Sequence, residues 1–321
     1  MVAGPFDTMV NVNHRGNSAA ELLTLDVDAL KGVSAGDKQH LLDAFGIRTI
    51  GDLGRNRFFH IALGVVNHGA DIGHDPGPDE KWSALFKKAP LAKYQQHPTS
   101  FRLDFGPIYY RGRLDGTARV LVVGQDPAAN ELVGHRAFVG ASGQRLQAFL
   151  RRLGIRRDYV MVNTFLYPVF GQFFGELRSL SQDPQILGFR NLVLDKVVDI
   201  SAVEAVIAAG SAARDAVERW PRSIDYEVAN ITHPSAHDHA QLLANWNDQL
   251  TRLRTIVQPE VGIDVDTTNF GTDFTDADHE PIPRYDLPFG MPDWHGVGSH
   301  ARRARHDDGA TNNKEIIWKS P

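Results

Sequence analysis

The stretch Val120-Leu121-Val122-Val123-Gly124-Gln125-Asp126-Pro127 decides how the chain is read. Four consecutive apolar residues, three of them β-branched, predict a short buried strand. Gly124 frees the backbone and Gln125-Asp126-Pro127 turns it, so an amide and a carboxylate stand just past the strand's carboxyl end. In open α/β sheets that edge is where ligands bind. Beyond it, Ala141-Ser142-Gly143-Gln144 opens a helix whose Leu146, Phe149, Leu150 and Leu153 form one apolar stripe, ended by Gly154.

The same grammar recurs downstream. Tyr159-Val160-Met161-Val162-Asn163-Thr164 reads as a second strand with a polar end. A helix over 186–201 precedes a third strand, Ala205–Ala209, which ends in Gly210-Ser211 before a helix over 212–219. A fourth strand, Tyr226–Ile231, ends at Thr232-His233-Pro234-Ser235, and a last helix over 240–257 carries Leu242, Leu243, Trp246, Leu250 and Leu253. This alternation predicts an α/β fold, a three-layer α/β/α sandwich with a mainly parallel central sheet. Parallel strands would gather Gln125-Asp126, Asn163, Ser211 and His233 on one rim.

The flanks have a different character. Residues 1–67 read as a small helical N-terminal module: Ser34 caps a helix with Asp37 at its third position, Gly46 ends it, and another short helix starts near Arg48. Short helices separated by Gly resemble helix-hairpin-helix modules, which often touch DNA backbones through helix N-termini. Residues 68–100 read as a connector with a boundary at His74–Asp79 and one short helix near Trp82–Lys88. Ile108–Gly116 reads as a strand and turn leading into the sandwich, which occupies 101–257. Residues 258–321 carry no helical or alternating period and read as an irregular C-terminal arm, laid across the core by Tyr285, Leu287, Phe289, Met291 and Trp294.

Composition narrows the chemistry. The 321 residues include no Cys, which excludes disulfides, zinc–thiolate sites, cysteine-ligated iron–sulfur clusters and cysteine nucleophiles. No apolar run approaches the ~20 residues of a membrane span, and the N-terminus lacks a secretory pattern, so a cytoplasmic protein without a membrane partner is expected. The net charge of −5 is unevenly spread: residues 101–257 hold 18 Lys+Arg against 16 Asp+Glu, and residues 258–321 hold 6 against 12. The middle cations are nearly all Arg, among them Arg111, Arg113, Arg145, Arg151, Arg152, Arg156 and Arg157, a residue suited to phosphate.

The residues at the strand ends carry a resemblance. Gly124-Gln125-Asp126-Pro127, the Asn-ended strand at Asn163-Thr164, Gly210-Ser211 and His233-Pro234-Ser235 follow in the order seen in the uracil-DNA glycosylase superfamily, over residues 118–257. Gln125-Asp126-Pro127 resembles the ubiquitous uracil-specific branch. Glu131, Phe138-Val139-Gly140 and Gly143-Gln144 resemble the iron–sulfur branch, whose four cysteines are missing here.

What the resemblance implies is a monofunctional glycosylase that removes uracil from DNA in base-excision repair, without cofactor or metal. The base would be flipped into a pocket, since its glycosidic bond is out of reach inside a duplex. By resemblance, Asp126 faces the sugar cation and positions the attacking water, and His233 donates to uracil O2. Gln125 presents backbone groups to the base, while Asn163 reads its N3–H and O4 edge and rejects cytosine. Phe138 stacks on the base, and Ser142, Ser211 and Ser235 are candidates to grip flanking phosphates. The implied partners are uracil-containing DNA, free uracil and the abasic product, bound by a monomer.

Two positions depart from the uracil-specific branch. Ala128 stands where that branch has a Tyr that crowds the thymine methyl, which makes Glu131 the expected guard of the base C5 edge. His237 stands where that branch has its Leu wedge. A metal site at His233, His237, Asp238 and His239 is disfavoured because Pro234 breaks any regular helix through them. A covalent link from His237 to the abasic sugar would require a basic loop insertion that the chain lacks. Two other readings stay open: a catalytically weak binder of uracil or abasic sites, and an α/β hydrolase of another nucleotide or small glycoside.

Overall fold

The computed structural model describes residues 10–56, 58–59, 74–104, 106–260, 262–263, 265–291 and 295, together with the backbone of 301–306 and 314–318. Trp294, residues 60–67 of the expected module and the side chains of Arg302, Arg303 and Arg305 lie outside the described residues. The chain divides into two compact units, 1–72 and 73–321.

The first unit is built on three capped helices, α1 (Ala19–Leu22), α2 (Ala35–Phe45) and α3 (Ile50–Arg55). Ser18 with Glu21, Ser34 with Asp37, and Thr49 with Asp52 each form a reciprocal capping box. Gly46 ends α2 in the left-handed conformation, at φ 68°. Val10, Leu22, Val27, Ala29 and Ile47 are buried in this unit.

The second unit is the sandwich. Its strands are β1 (Arg111–Gly112), β2 (Val120–Gly124), β3 (Tyr159–Asn163), β4 (Ala205–Ala209) and β5 (Glu227–Ile231), in the order β1-β3-β2-β4-β5. All neighbours are parallel except the short β1, which runs antiparallel to β3 at one edge. The strand expected over 108–116 is thus only two residues long; Gly112, at φ 95°, turns the chain away where it touches Tyr159.

Side-chain alternation splits the core into two layers. Leu121, Val123, Val160, Val162, Val206 and Ala208 face α9 (Pro184–Ile200) and α10 (Ser211–Glu218). Val120, Val122, Tyr159, Met161, Ala205 and Ile207 face α7 (Ala141–Arg151) and α11 (His239–Leu253) through Leu146, Phe149, Leu150, Leu242, Trp246 and Leu250. Each fully buried aliphatic or Phe side chain contributes on the order of 2 kcal/mol. Between these elements run α6 (Ala129–Gly134) and α8 (Gly175–Ser181). No helix among the described residues is long and apolar enough to cross a membrane.

Residues 80–101 are not a connector. In α4 (Glu80–Phe86) and α5 (Leu91–Gln95), Trp82, Phe86 and Tyr94 are buried with Phe101 in the same cluster as the sheet, and the Trp82 indole donates to the Leu114 carbonyl at 2.7 Å. Four large rings in this window supply most of the buried area.

The arm up to Met291 is docked on the core. Phe270 and Phe274 pack around Trp246 at centroid distances of 5.4 and 5.6 Å, and Leu287 is fully buried. The arginines that read as phosphate ligands largely serve this docking. Arg152 bonds Asp278 at 2.8 Å and lies over the Phe270 ring, Arg151 pairs with Glu280, Arg157 covers Tyr285, and buried Arg111 sits 3.5 Å from buried Asp286. A cationic middle beside an acidic arm is therefore internal complementarity, which sequence charge counts do not distinguish from a DNA-facing surface. Near the C-terminus the backbone is not irregular: β6 (Ala301–His306) and β7 (Lys314–Trp318) pair antiparallel.

Candidate active site

The parallel register delivers the polar strand ends to one rim. Gly124 pairs with Asn163, so the end of β2 and the end of β3 lie side by side. The zipper continues past both strands: the Thr164 amide and hydroxyl donate to the Gly124 carbonyl, and the Phe165 amide donates to the Gln125 carbonyl at 2.9 Å. The Gln125 carbonyl is thereby committed to the fold rather than presented to a ligand.

Asp126 is held from two sides. The Val169 amide donates to its Oδ2 and the Gln125 side-chain amide to its Oδ1, each at 2.9 Å. Burial nevertheless pushes its pKa up to about 6, against these two hydrogen bonds, with the nearby Glu131 charge adding to the rise. A desolvated carboxylate aligned by fixed donors is suited to stabilising a cation or taking a proton from water. The Val169 contact had no sequence signal, because it is made by a main-chain amide.

Gly124, Phe138 and Asn163 form one corner. A Cβ on Gly124 would collide with the Phe138 ring and with Asn163 Oδ1, so only glycine lets the three pack. Phe138 sits at φ 55°, an uncommon backbone conformation for a non-glycine residue and the kind stored at functional sites. Asn163 is 6% exposed and its Oδ1 has no hydrogen-bond partner among the described residues. A buried acceptor without a protein donor is open to one from water or a ligand.

The Glu131 carboxylate is occupied by main-chain amides. It is 6% exposed; its Oε1 accepts from the Val139 and Gly140 amides at 2.9 and 3.3 Å, and its Oε2 from the Ala128 amide at 3.0 Å. It starts α6 and clamps the loop that carries Phe138. Ala128 itself is exposed.

The other half of the rim comes from β4 and β5. Gly210, at φ 92°, follows β4 and lies against the His233 ring; an added Cβ would stand 3.0 Å from His233 Cβ. The Ser235 amide donates to His233 Nδ1 at 3.1 Å, and burial holds the imidazole pKa below its ordinary value. Arg145, read only as a cation in the sequence, donates to the Pro234 carbonyl at 2.6 Å and lies 4.0 Å from the Phe274 ring centre, tying the His233-Pro234-Ser235 turn to α7 and the arm.

Ser142 and Ser235 come together, their hydroxyls 2.6 Å apart. Ser211 is exposed at the first residue of α10, and His237 is exposed in the turn before α11. Among the described residues no three His, Asp or Glu side chains converge to hold a metal ion.

Residues 112–254 match the family model for the uracil DNA glycosylase superfamily. These residues form a uracil DNA glycosylase superfamily domain. The match runs from the last residue of β1 through α11 and so contains the strand ends of the rim just described. No curated protein matches the chain. Superfamily membership places the domain among DNA glycosylases, hydrolases that act on DNA in repair.

Proposed function

We propose that the protein hydrolyses the N-glycosidic bond of uracil in DNA. The observation that carries this reading is the pairing of a desolvated, doubly held Asp126 with a buried Asn163 whose Oδ1 lacks a donor. Uracil N3–H supplies that donor, and the Asn163 amide NH₂ supplies one to O4. Cytosine presents an acceptor at N3 and a donor at C4, leaving like groups opposed.

As the N1–C1′ bond breaks, its electron pair moves onto uracil and the sugar becomes an oxocarbenium cation. Asp126 stabilises that cation and accepts a proton from the water that attacks C1′. His233, with Nδ1 occupied by the Ser235 amide, donates through Nε2–H to the developing charge on uracil O2. Phe138 packs on the base face. The products are free uracil and an abasic site.

The test uses single-stranded and duplex oligonucleotides carrying U, T, hypoxanthine or an abasic site, followed by alkaline cleavage. Uracil excision that falls at least 100-fold in Asp126→Asn and His233→Ala supports the proposal. No excision by the wild type, or excision indifferent to both substitutions, overturns it.

A further inference from the structure

The loop after β3, Val169-Phe170-Gly171-Gln172-Phe173-Phe174-Gly175, is anchored to Asp126 through the Val169 amide and carries exposed aromatic side chains. Phe170 is 47% exposed and Phe174 69% exposed, while Phe173 between them packs toward Phe165. The loop is fixed at one end by the site itself: Val169 gives its amide to Asp126, and the Phe170 amide donates to the Ser100 carbonyl at 2.9 Å. Gly171 and Gly175 both take positive φ, 89° and 52°, which sets the turn that turns the two rings outward. Arg102 lies 4.9 Å from the Phe170 ring centre and donates its main-chain amide to the Pro168 carbonyl, so a cation is built into the same surface.

An exposed Phe170 ring next to a guanidinium, with exposed Phe174 on the same loop and the loop tied to the half-buried Asp126, matches one kind of partner: stacked bases on a phosphate backbone. A protein that takes a base out of a duplex must oppose the base's return, and apolar side chains pushed between base steps do this. The turn after His233 offers only Ala236 and exposed His237 for that task.

Resting on the proposed uracil chemistry, we infer that the 169–175 loop is the DNA wedge of this protein, with Phe170 and Phe174 stacking on the bases that flank the extruded nucleotide and Arg102 facing the backbone. The wedge supports extrusion rather than bond cleavage, so its contribution scales with how strongly the substrate resists flipping.

Phe170→Ala, Phe174→Ala and the milder Phe170→Leu are compared with wild type in single-turnover uracil excision from duplex and from single-stranded DNA. The expected result is at least a tenfold loss on duplex in the alanine variants, less than threefold on single strands, and recovery on a duplex with a bulky pyrene opposite uracil, which forces the base out. Equal loss on both substrates, no loss on duplex, or loss that pyrene leaves unchanged overturns the wedge. Binding to a duplex with a tetrahydrofuran abasic analogue beside 2-aminopurine reads unstacking without cleavage. If the wild type excises nothing, the uracil reading has failed, and the wedge stands or falls on the 2-aminopurine signal: enhanced by wild type and lost in Phe170→Ala and Phe174→Ala, or the same in all.

Discussion

The Ser235 amide donates to Nδ1 of His233 at 3.1 Å, and that bond decides which ring nitrogen carries the proton. With Nδ1 accepting, a neutral imidazole is protonated at Nε2. Burial lowers the pKa, so this neutral form prevails throughout the neutral range. Nitrogen-15 spectra of His233 at pH 7 are expected to show mainly the Nε2–H tautomer, with its titration displaced to lower pH than that of an ordinary imidazole. An Nδ1–H signal, or a transition near 6.5, would remove His233 as a fixed donor to the leaving base. Loss of one such donor lowers the rate roughly 10²–10³-fold, the size expected for His233→Ala.

Asp126 should set the acid limb of the rate profile. A general base works ionised, so single-turnover excision is expected to fall as pH drops through about 6, with a slope of one proton. The same shift makes a stability statement. Burial raises the folded pKa from 3.8 to about 6, so the unfolded chain loses its proton first as pH rises. Stability therefore falls across that window, and the cost is complete above it. After allowance for the solvent that still reaches the group, this amounts to on the order of 1–2 kcal/mol at pH 7. Asp126→Asn should raise the melting temperature at pH 7 while removing activity, and the gain should shrink toward pH 4. A variant less stable than wild type at pH 7 contradicts the assignment.

Much of this arrangement was legible in the chain because strands buried on both faces leave a strong record. Val120–Val123 and Ala205–Ala209 contain no polar residue, and each is followed at once by the turn residues that form the rim. What stayed hidden was carried by main-chain groups and by long-range pairing. Val169 acts through its amide, and the use of Arg152 depended on an acidic residue 126 positions away. The three amide donors of Glu131 were hidden for the same reason, because they come from both sides of a loop that bends back on it.

Glu131 yields a direct comparison of two roles. As a clamp, it satisfies two buried amides and starts α6, so Glu131→Ala should destabilise the protein by on the order of 3 kcal/mol in denaturant unfolding. Activity should drop through a displaced Phe138, while the ratio of uracil to thymine excision stays unchanged. Thymine excision gained by a variant of undiminished stability would instead place the carboxylate at the base C5 edge.

The arm makes the last prediction. Arg152 and Asp278 have side chains 9% and 6% exposed, and they meet at 2.8 Å beside the Phe270 ring. Removing one partner leaves the other charge buried without compensation, a loss of roughly 3–5 kcal/mol. Asp278→Ala should therefore strip much of the domain's stability, and Arg152→Met in the same chain should restore most of it, since an apolar side chain of similar length refills the space over Phe270. Chemical denaturation of the two single variants and the double variant closes the cycle. Strictly additive losses would mean that the arm is held by its aromatic contacts alone, Phe270 and Phe274 on Trp246, with the ion pair contributing nothing of its own.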